Sequence, residues 1–267
     1  MLKAYKFRLY PTEEQKQFFD QNIGNCRFVY NHCLFLKNEK YKNGKQKFNY
    51  FDMCRHITDL KKYEEYTWLK IGDSIALQQS LRDLDQAFQR FFKKQAKYPR
   101  FHNKHKKNSY RTLNQKGIIT IENNKLRLPK LKTLVKIKQS RFFSGKIKNA
   151  TVSKTPSNKY FVSLLVEQTD SFGVSQDNEV GIDLGIKDFA ILSNGEKYQI
   201  DKKHINKLEK RLKRLQKQFS RTMFKSCNHE KKRIKLATQY EKITNFKNDF
   251  FPKAFNKASK RKPSYCY

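Results

Sequence analysis

Acidic side chains are scarce in this sequence. Asp and Glu number 24 against 59 Lys and Arg, a formal net charge of +35 at pH 7. A chain so charged repels itself unless a polyanion is at hand, and the usual polyanion is nucleic acid. Long apolar runs are missing too. None approaches the roughly 20 residues that span a bilayer, and the opening stretch MLKAYKFRLYPTEEQ has no apolar core of a secretory signal. A membrane partner is therefore set aside and a cytoplasmic location is expected. The five cysteines, Cys26, Cys33, Cys54, Cys227 and Cys266, include no CxxC pair. Zinc sites use such short paired spacings, so no zinc is expected and the thiols read as isolated and reduced. Apolar residues make up only 37%, with a mean hydropathy of −0.91, which argues against one large core. The 22 Phe and 14 Tyr can instead supply several small modules.

What is present falls into three stretches. KAYKFRLYP alternates basic and apolar residues as a strand does. After Pro11, Thr12 followed three residues later by Gln15 is a capping box, opening a helix in which Gly24 marks a kink or break. NYFDMCRHITDLKK reads as another helix. SIALQQSLRDLDQAFQRFFKKQAK is a third, with Ile75, Leu77, Leu81, Leu84, Phe88 and Phe91 on a buried face and Gln78, Gln79, Arg82 and Gln86 on a polar one. PRFHNKHKKNSYR is a basic loop with interleaved aromatics. From 117 to 169 short strands follow, with turns at Asn123-Asn124 and Ser157-Asn158. Together with the first strand they suggest a small β-barrel. DSFGVSQDNE is a linker. VGIDLG, FAILSN and KYQI then read as a strand with hairpin partners. A helical tract from about 202 to 249, broken near SCNH, reads as an antiparallel pair. Pro252 falls where that helix should continue, and the remainder is expected to be disordered.

VGIDLGIKDFAILSNG places Asp183 in an apolar strand. A carboxylate held there suits a first magnesium ligand, although a turn or capping aspartate has the same spacing. The flanking Val180, Ile182, Leu184 and Ile186 predict a buried site. Two-metal phosphodiester chemistry needs further carboxylates, and Asp188 and Glu196 read as solvated turn residues. GIDLG also occurs in the actin-like ATPases, but the Ile186-Lys187-Asp188 turn lacks their Ser or Thr.

KFRLYPTEEQ, CRFVYNHCL, ALQQSLRDLDQAFQRFF, YPRFHNKHKKNSYR, LRLPKL, VGIDLGIKDFAILSNG and LEKRLKRLQKQFSR occur in that order. As a set they resemble the TnpB (OrfB) family of transposon-encoded RNA-guided endonucleases, prokaryotic relatives of the type V CRISPR effectors. The resemblance covers about residues 1–250. It implies an α+β chain: a β-barrel wedge domain (1–10 and 98–169) with an inserted helical recognition domain (11–97), a linker (170–178), an RNase H-like RuvC α/β domain with a long helical pair (179–250), and a divergent tail (251–267). It also implies a guide RNA from the transposon end, a target DNA with an adjacent short motif, a location at the nucleoid, and Mg²⁺.

Of the family's three catalytic carboxylates, Asp183 matches the first. The other two follow later in the family pattern and are not matched in these residues, so the sequence reads as C-terminally truncated. Nucleic-acid binding is then expected to be kept and autonomous cleavage lost. A nuclease-dead repressor and a non-functional remnant are the alternatives. The resemblance puts Tyr50 and Gln78 where the flanking DNA motif is read. The basic aromatic loop supplies Arg100, Phe101, Lys104, Lys106, Lys107, Tyr110 and Arg111 as candidate contacts to phosphates and unpaired bases. The lysines of KLRLPKLKTLVKIK are candidates for an A-form duplex.

Overall fold

The structure is a computed structural model that describes residues 1–44, 46–104, 108–168, 182–183, 185, 189–193, 195, 197–199 and 201–259. The chain divides into two compact units, Met1–Ser171 and Phe172–Tyr267. It is α+β, and its sheets are antiparallel.

The first unit begins with strand β1 (Leu2–Tyr10), in which Tyr5, Phe7 and Leu9 point inward while Lys6 stays outside. Three helices follow: α1 (Glu13–Lys42), α2 (Tyr50–Leu60) and α3 (Ser74–Phe92), with a 3-10 segment at Glu64–Lys70 between the last two. Six more strands complete the unit: β2 (Ser109–Leu113), β3 (Ile121–Glu122), β4 (Lys125–Leu126), β5 (Val135–Lys138), β6 (Lys146–Lys154) and β7 (Tyr160–Glu167). Their order in the sheet is β2-β6-β7-β1-β5-β4-β3. β1 is thus interior, paired with β7 from Leu2↔Glu167 to Leu9↔Tyr160 and with β5 from Arg8↔Lys138 to Tyr10↔Lys136.

A closed barrel would need a ladder between β2 and β3, and none joins them among the described residues. One side chain links the two ends instead. The Asn114 amide nitrogen donates to the carbonyls of Ile147 (2.9 Å) and Ile119 (3.2 Å), while its oxygen accepts from the Ile119 N–H (2.8 Å). Asn123 (φ +49) and Asn124 (φ +57) supply the two left-handed residues of the expected tight hairpin turn.

α1 opens on the expected capping box, Thr12 with Gln15, but it does not break at Gly24. A glycine costs a helix about 1 kcal/mol. Here Phe19, Ile23, Cys26, Tyr30, Cys33 and Leu34 carry one buried stripe straight past it, and that burial outweighs the loss. α1 is tied to the sheet by Asp20, which accepts from the Tyr160 hydroxyl (2.8 Å) and pairs with Lys154 (2.6 Å). It is tied to α3 by Ser80, whose hydroxyl donates to the Cys26 carbonyl (2.8 Å). Burial pushes the Cys33 thiol up to about 12, so it is an inert core group.

α2 meets α1 through two imidazoles. Nε2 of His32 and Nε2 of His56 lie 3.0 Å apart, with the rings 14° from parallel, so one ring donates its N–H to the other. Two protonated rings could not make this bond. Burial first, and then the partner ring, lowers the pKa of His32; burial, then Lys40, lowers that of His56 against the opposing pull of Asp59. A depressed histidine pKa means that the unfolded chain takes up protons first as pH falls. This contribution to stability is therefore full above the ordinary value of 6.5 and is lost as pH falls from there through the lowered folded-state values. Urea melts at about pH 7.5 and 5.5 should show the first unit weakened at the lower pH. The double substitution His32→Gln/His56→Gln should flatten that dependence, and an equal slope in both proteins would contradict the assignment.

The second unit holds β8 (Ile182–Asp183), β9 (Ala190–Leu192) and β10 (Lys197–Tyr198) in the order β10-β9-β8, followed by α4 (Lys202–Ser220) and α5 (Cys227–Ser259). Ile205, Leu208, Leu212, Leu215 and Phe219 make the half-buried stripe of α4. The Gln239 side chain of α5 donates to the Leu208 carbonyl (3.0 Å), and Gln216 of α4 donates to the Tyr240 hydroxyl (2.7 Å), so the expected helix pair is present. Ser226 starts α5, its hydroxyl accepting from the His229 N–H (3.0 Å). The expected stop at Pro252 does not occur. A helix-interior proline forfeits one hydrogen bond at a cost of about 3 kcal/mol, yet α5 runs through it to Ser259. The expected linker 170–178 and the last eight residues, 260–267, lie outside the described residues.

Candidate nucleic-acid interface

Three surfaces of the first unit carry the predicted contacts. On α3, Gln78 and Arg82 are exposed and one helical turn apart. The Arg82 guanidinium lies 5.3 Å over the ring of Tyr50, at the start of α2. Beside it Phe51 is 74% exposed, its ring edge-on to Tyr50 at 5.5 Å. Tyr50 and Gln78 thus belong to one patch joined by Arg82, which adds a flat cation to a glutamine amide and two aromatic rings. Burial and a hydrogen bond to Cys54 push the Tyr50 hydroxyl up, with Arg82 opposing, and the phenol stays neutral. Gln79 does not share that face. It is only 6% exposed and points inward, because α3 buries a wider arc (Ala76, Leu77, Gln79, Ser80, Leu81, Leu84 and Phe88) than its apolar spacing shows.

The loop after α3 is anchored rather than free. The amide of Asn31 on α1 clamps His102 from both sides, accepting from its N–H (2.8 Å) and donating to its carbonyl (2.9 Å). The His102 ring stacks on Tyr30 with centroids 3.7 Å apart. This clamp presents Arg100, Phe101 and Lys104 to solvent, Phe101 being 56% exposed. Lys106 and Lys107 lie outside the described residues. Tyr110 is not a surface ring. It belongs to β2, is 4% exposed and packs against Phe19. The strand's alternation accounts for this: Tyr110 faces the core and Arg111 the other side. Arg111 is half-buried and paired with Asp83 at 2.6 Å.

The outer face of the sheet adds a third surface. Lys6 (4.9 Å) and Arg8 (5.0 Å) both sit over the Phe161 ring. Lys125 stands opposite Lys136, and Arg8 opposite Lys138. Like charges directly across a ladder are destabilising, and these rungs concentrate positive charge on this face. In the second unit Arg211, Arg214, Lys235 and Lys242 line a groove of about 350 Å³ between α4 and α5, without a carboxylate in its walls. The sequence reading missed the groove because it followed the leucines of α4. The signal was available, since α4 holds eight Lys and Arg against one Glu.

Asp183 pairs with Ile191 across to β9 and is exposed, not buried as its apolar neighbours suggested. β8 is two residues long and at the edge of its sheet, so the apolar run is not enclosed there. Among the described residues no three His, Cys, Asp or Glu converge as a metal site. Asp188 and Glu196 lie outside the described residues. A single accessible carboxylate does not fit a two-ion magnesium centre, and no catalytic step is derived through one.

Two family models match the chain. Residues 1–46 match a "Helix-turn-helix domain" of the IS605 OrfB type, and residues 163–262 match the IS605 OrfB "Probable transposase" model, a span that holds Asp183, α4 and the whole of α5. The chain belongs to the OrfB (TnpB) transposase family. It is 34% identical over 261 residues, 97% of its length, to an Escherichia coli (strain K12) protein named "Putative RNA-guided DNA endonuclease InsQ". It is also 34% identical over 253 residues to a Streptomyces pristinaespiralis protein named "Putative RNA-guided DNA endonuclease". The chain spans 64% and 62% of the lengths of these two relatives. A Salmonella dublin "Virulence protein VsdF" is 38% identical over 116 residues, 40% of this chain and 98% of that protein. In this OrfB chain the region matching the helix-turn-helix model is a strand and one unbroken 30-residue helix, not two helices. The match running to residue 262 also passes the Pro252 boundary drawn from sequence. No helix among the described residues is long and apolar enough to cross a membrane.

Proposed function

We propose that these 267 residues are the nucleic-acid-gripping part of a transposon-associated, RNA-guided DNA endonuclease. They hold a guide RNA and a target DNA and do not cut DNA by themselves. The carrying observation is the +35 charge, spread over a ladder of opposed cations on the sheet, an anchored basic loop and a basic helix-pair groove. In this reading the first unit is the wedge and recognition module. Tyr50, Gln78 and Arg82 face the short DNA motif, the amide suited to adenine and the guanidinium to guanine. Arg100, Phe101 and Lys104 hold a strand by charge and stacking. The second unit is the start of a RuvC, RNase H-like domain, and Asp183 is the first of its magnesium ligands, the ion coming to an accessible carboxylate that others must complete. The same incompleteness supports a second reading, in which the bound complex occupies DNA as a repressor.

The test combines the purified chain with Mg²⁺, a guide RNA from the transposon end and a matching duplex carrying the flanking motif. The expected result is guide-dependent retention of the duplex with no cut strand. Robust cutting by these residues alone, abolished by Asp183→Ala, would overturn the reading.

A further inference from the structure

We propose a pocket for one unstacked nucleobase between α1, α3, β2 and β6, a site that rests on the nucleic-acid reading and deepens it. The cavity there measures about 240 Å³. Liquid water takes about 30 Å³ per molecule, so the space is of the order of eight waters, the scale of a single heterocycle rather than of one bridging solvent molecule. Ile23 and Ala76 give it an apolar wall. Gln79 and Arg111 line it with hydrogen-bonding groups. Gln79 is more than nine-tenths buried. Arg111 engages Asp83 through one terminal nitrogen, but its buried Nε has no partner.

A buried polar nitrogen left unpaired normally costs stability, and native interiors seldom tolerate it without a purpose. The Arg111 Nε and the Gln79 amide in one cavity point to a ligand that offers both acceptors and donors in a plane. A nucleobase edge is of that kind, and a glutamine amide pairs with it through two bonds. Unstacked bases are held in this way, by an edge-reading side chain inside a close-fitting pocket. The entrance suits the attached backbone. Arg27 and His102 line the cavity, and His102 belongs to the same anchored loop that presents Arg100, Phe101 and Lys104. A strand drawn along those cations would carry one base inward. RNA and DNA strands share this chemistry.

The test uses Gln79→Met, which keeps the shape of the side chain and removes the amide, with Gln79→Leu as a second variant. Short single strands of adenine or pyrimidine, in ribose and deoxyribose forms, are compared with an abasic strand by fluorescence anisotropy. Wild type should prefer base-bearing strands. Gln79→Met should lose about tenfold in affinity for them, one bidentate pair's worth, while the abasic affinity stays the same. Melting should be little changed, since the replacement keeps the volume of the side chain. The sugar form showing the larger loss identifies the strand. Equal binding of every strand by wild type and both folded variants would mean that the cavity holds solvent only, and the pocket would be refuted with the nucleic-acid reading intact. Wild type binding no strand at all would overturn both.

Discussion

Binding of a DNA duplex to this OrfB-family chain should weaken by about 10³–10⁵-fold as salt rises from about 50 to 200 mM, the loss expected when six to ten phosphates are neutralised. The cations needed are present on separate elements. Lys6, Arg8, Lys125, Lys136 and Lys138 are on the sheet, Arg100 and Lys104 on the loop, and eight more Lys and Arg on α4. The ion pairs that involve the sheet among the described residues are Arg111–Asp83, Lys148–Glu167 and Lys154–Asp20, and the opposed lysines Lys125 and Lys136 are in none of them. Each phosphate bound displaces condensed counterions, so the logarithm of affinity should fall linearly with the logarithm of salt. Anisotropy titrations at several salt concentrations measure that slope. A change of less than about tenfold over the range would mean that the charge is a solvated surface and not a binding face.

The second large effect is structural. Phe19→Ala should destabilise the first unit by about 3–5 kcal/mol, the usual cost of emptying a fully buried aromatic site. Phe19 is 0% exposed and leaves α1 to meet the sheet, with ring centroids 5.8 Å from Tyr160 of β7 and 6.5 Å from Tyr110 of β2. Its loss would open a gap between a long helix and two strands that are themselves fixed by their ladder, so neighbouring groups cannot close it. The single tryptophan, Trp68, is in this unit, packed edge-on to Phe28 at 5.0 Å. Urea unfolding followed by its fluorescence therefore reports on this unit alone. A loss below about 1 kcal/mol would show that the contact between α1 and the sheet does not rest on this ring.

Local chemistry was legible in the sequence wherever it acts over a few residues. Thr12 with Gln15 fixed the start of α1, the Asn123-Asn124 pair fixed a hairpin, and the alternation in KAYKFRLY fixed β1. The helix pair followed from leucine spacing and a break. What failed depended on packing by distant parts of the chain. Gly24 looked like a break because nothing local shows that a continuous buried stripe holds the helix there. Tyr110 looked like a loop aromatic until the β2–β6 pairing turned it inward. Gln79 looked solvated because amphipathic spacing does not reveal that sheet strands and α1 cover that arc of α3 as well. Asp183 looked buried because a run of apolar residues does not say whether the strand is interior or at an edge. The family, by contrast, was legible from collinear segments, and it rests on both ends of the chain.

The first strand of this protein must wait for its neighbours. β1 is made first, yet it pairs with β5 and β7, so Leu2 meets Glu167 only after 165 further residues have been joined. At a synthesis rate of about 5–20 residues per second, that delay is roughly 8–33 s. Until β5 is made Tyr5, Phe7 and Leu9 have no strand on either side, and α1, α2 and α3 are complete before the sheet that covers them exists. The strand therefore spends the synthesis of all three helices without a partner, and it is flanked on both sides only when β7 leaves the ribosome.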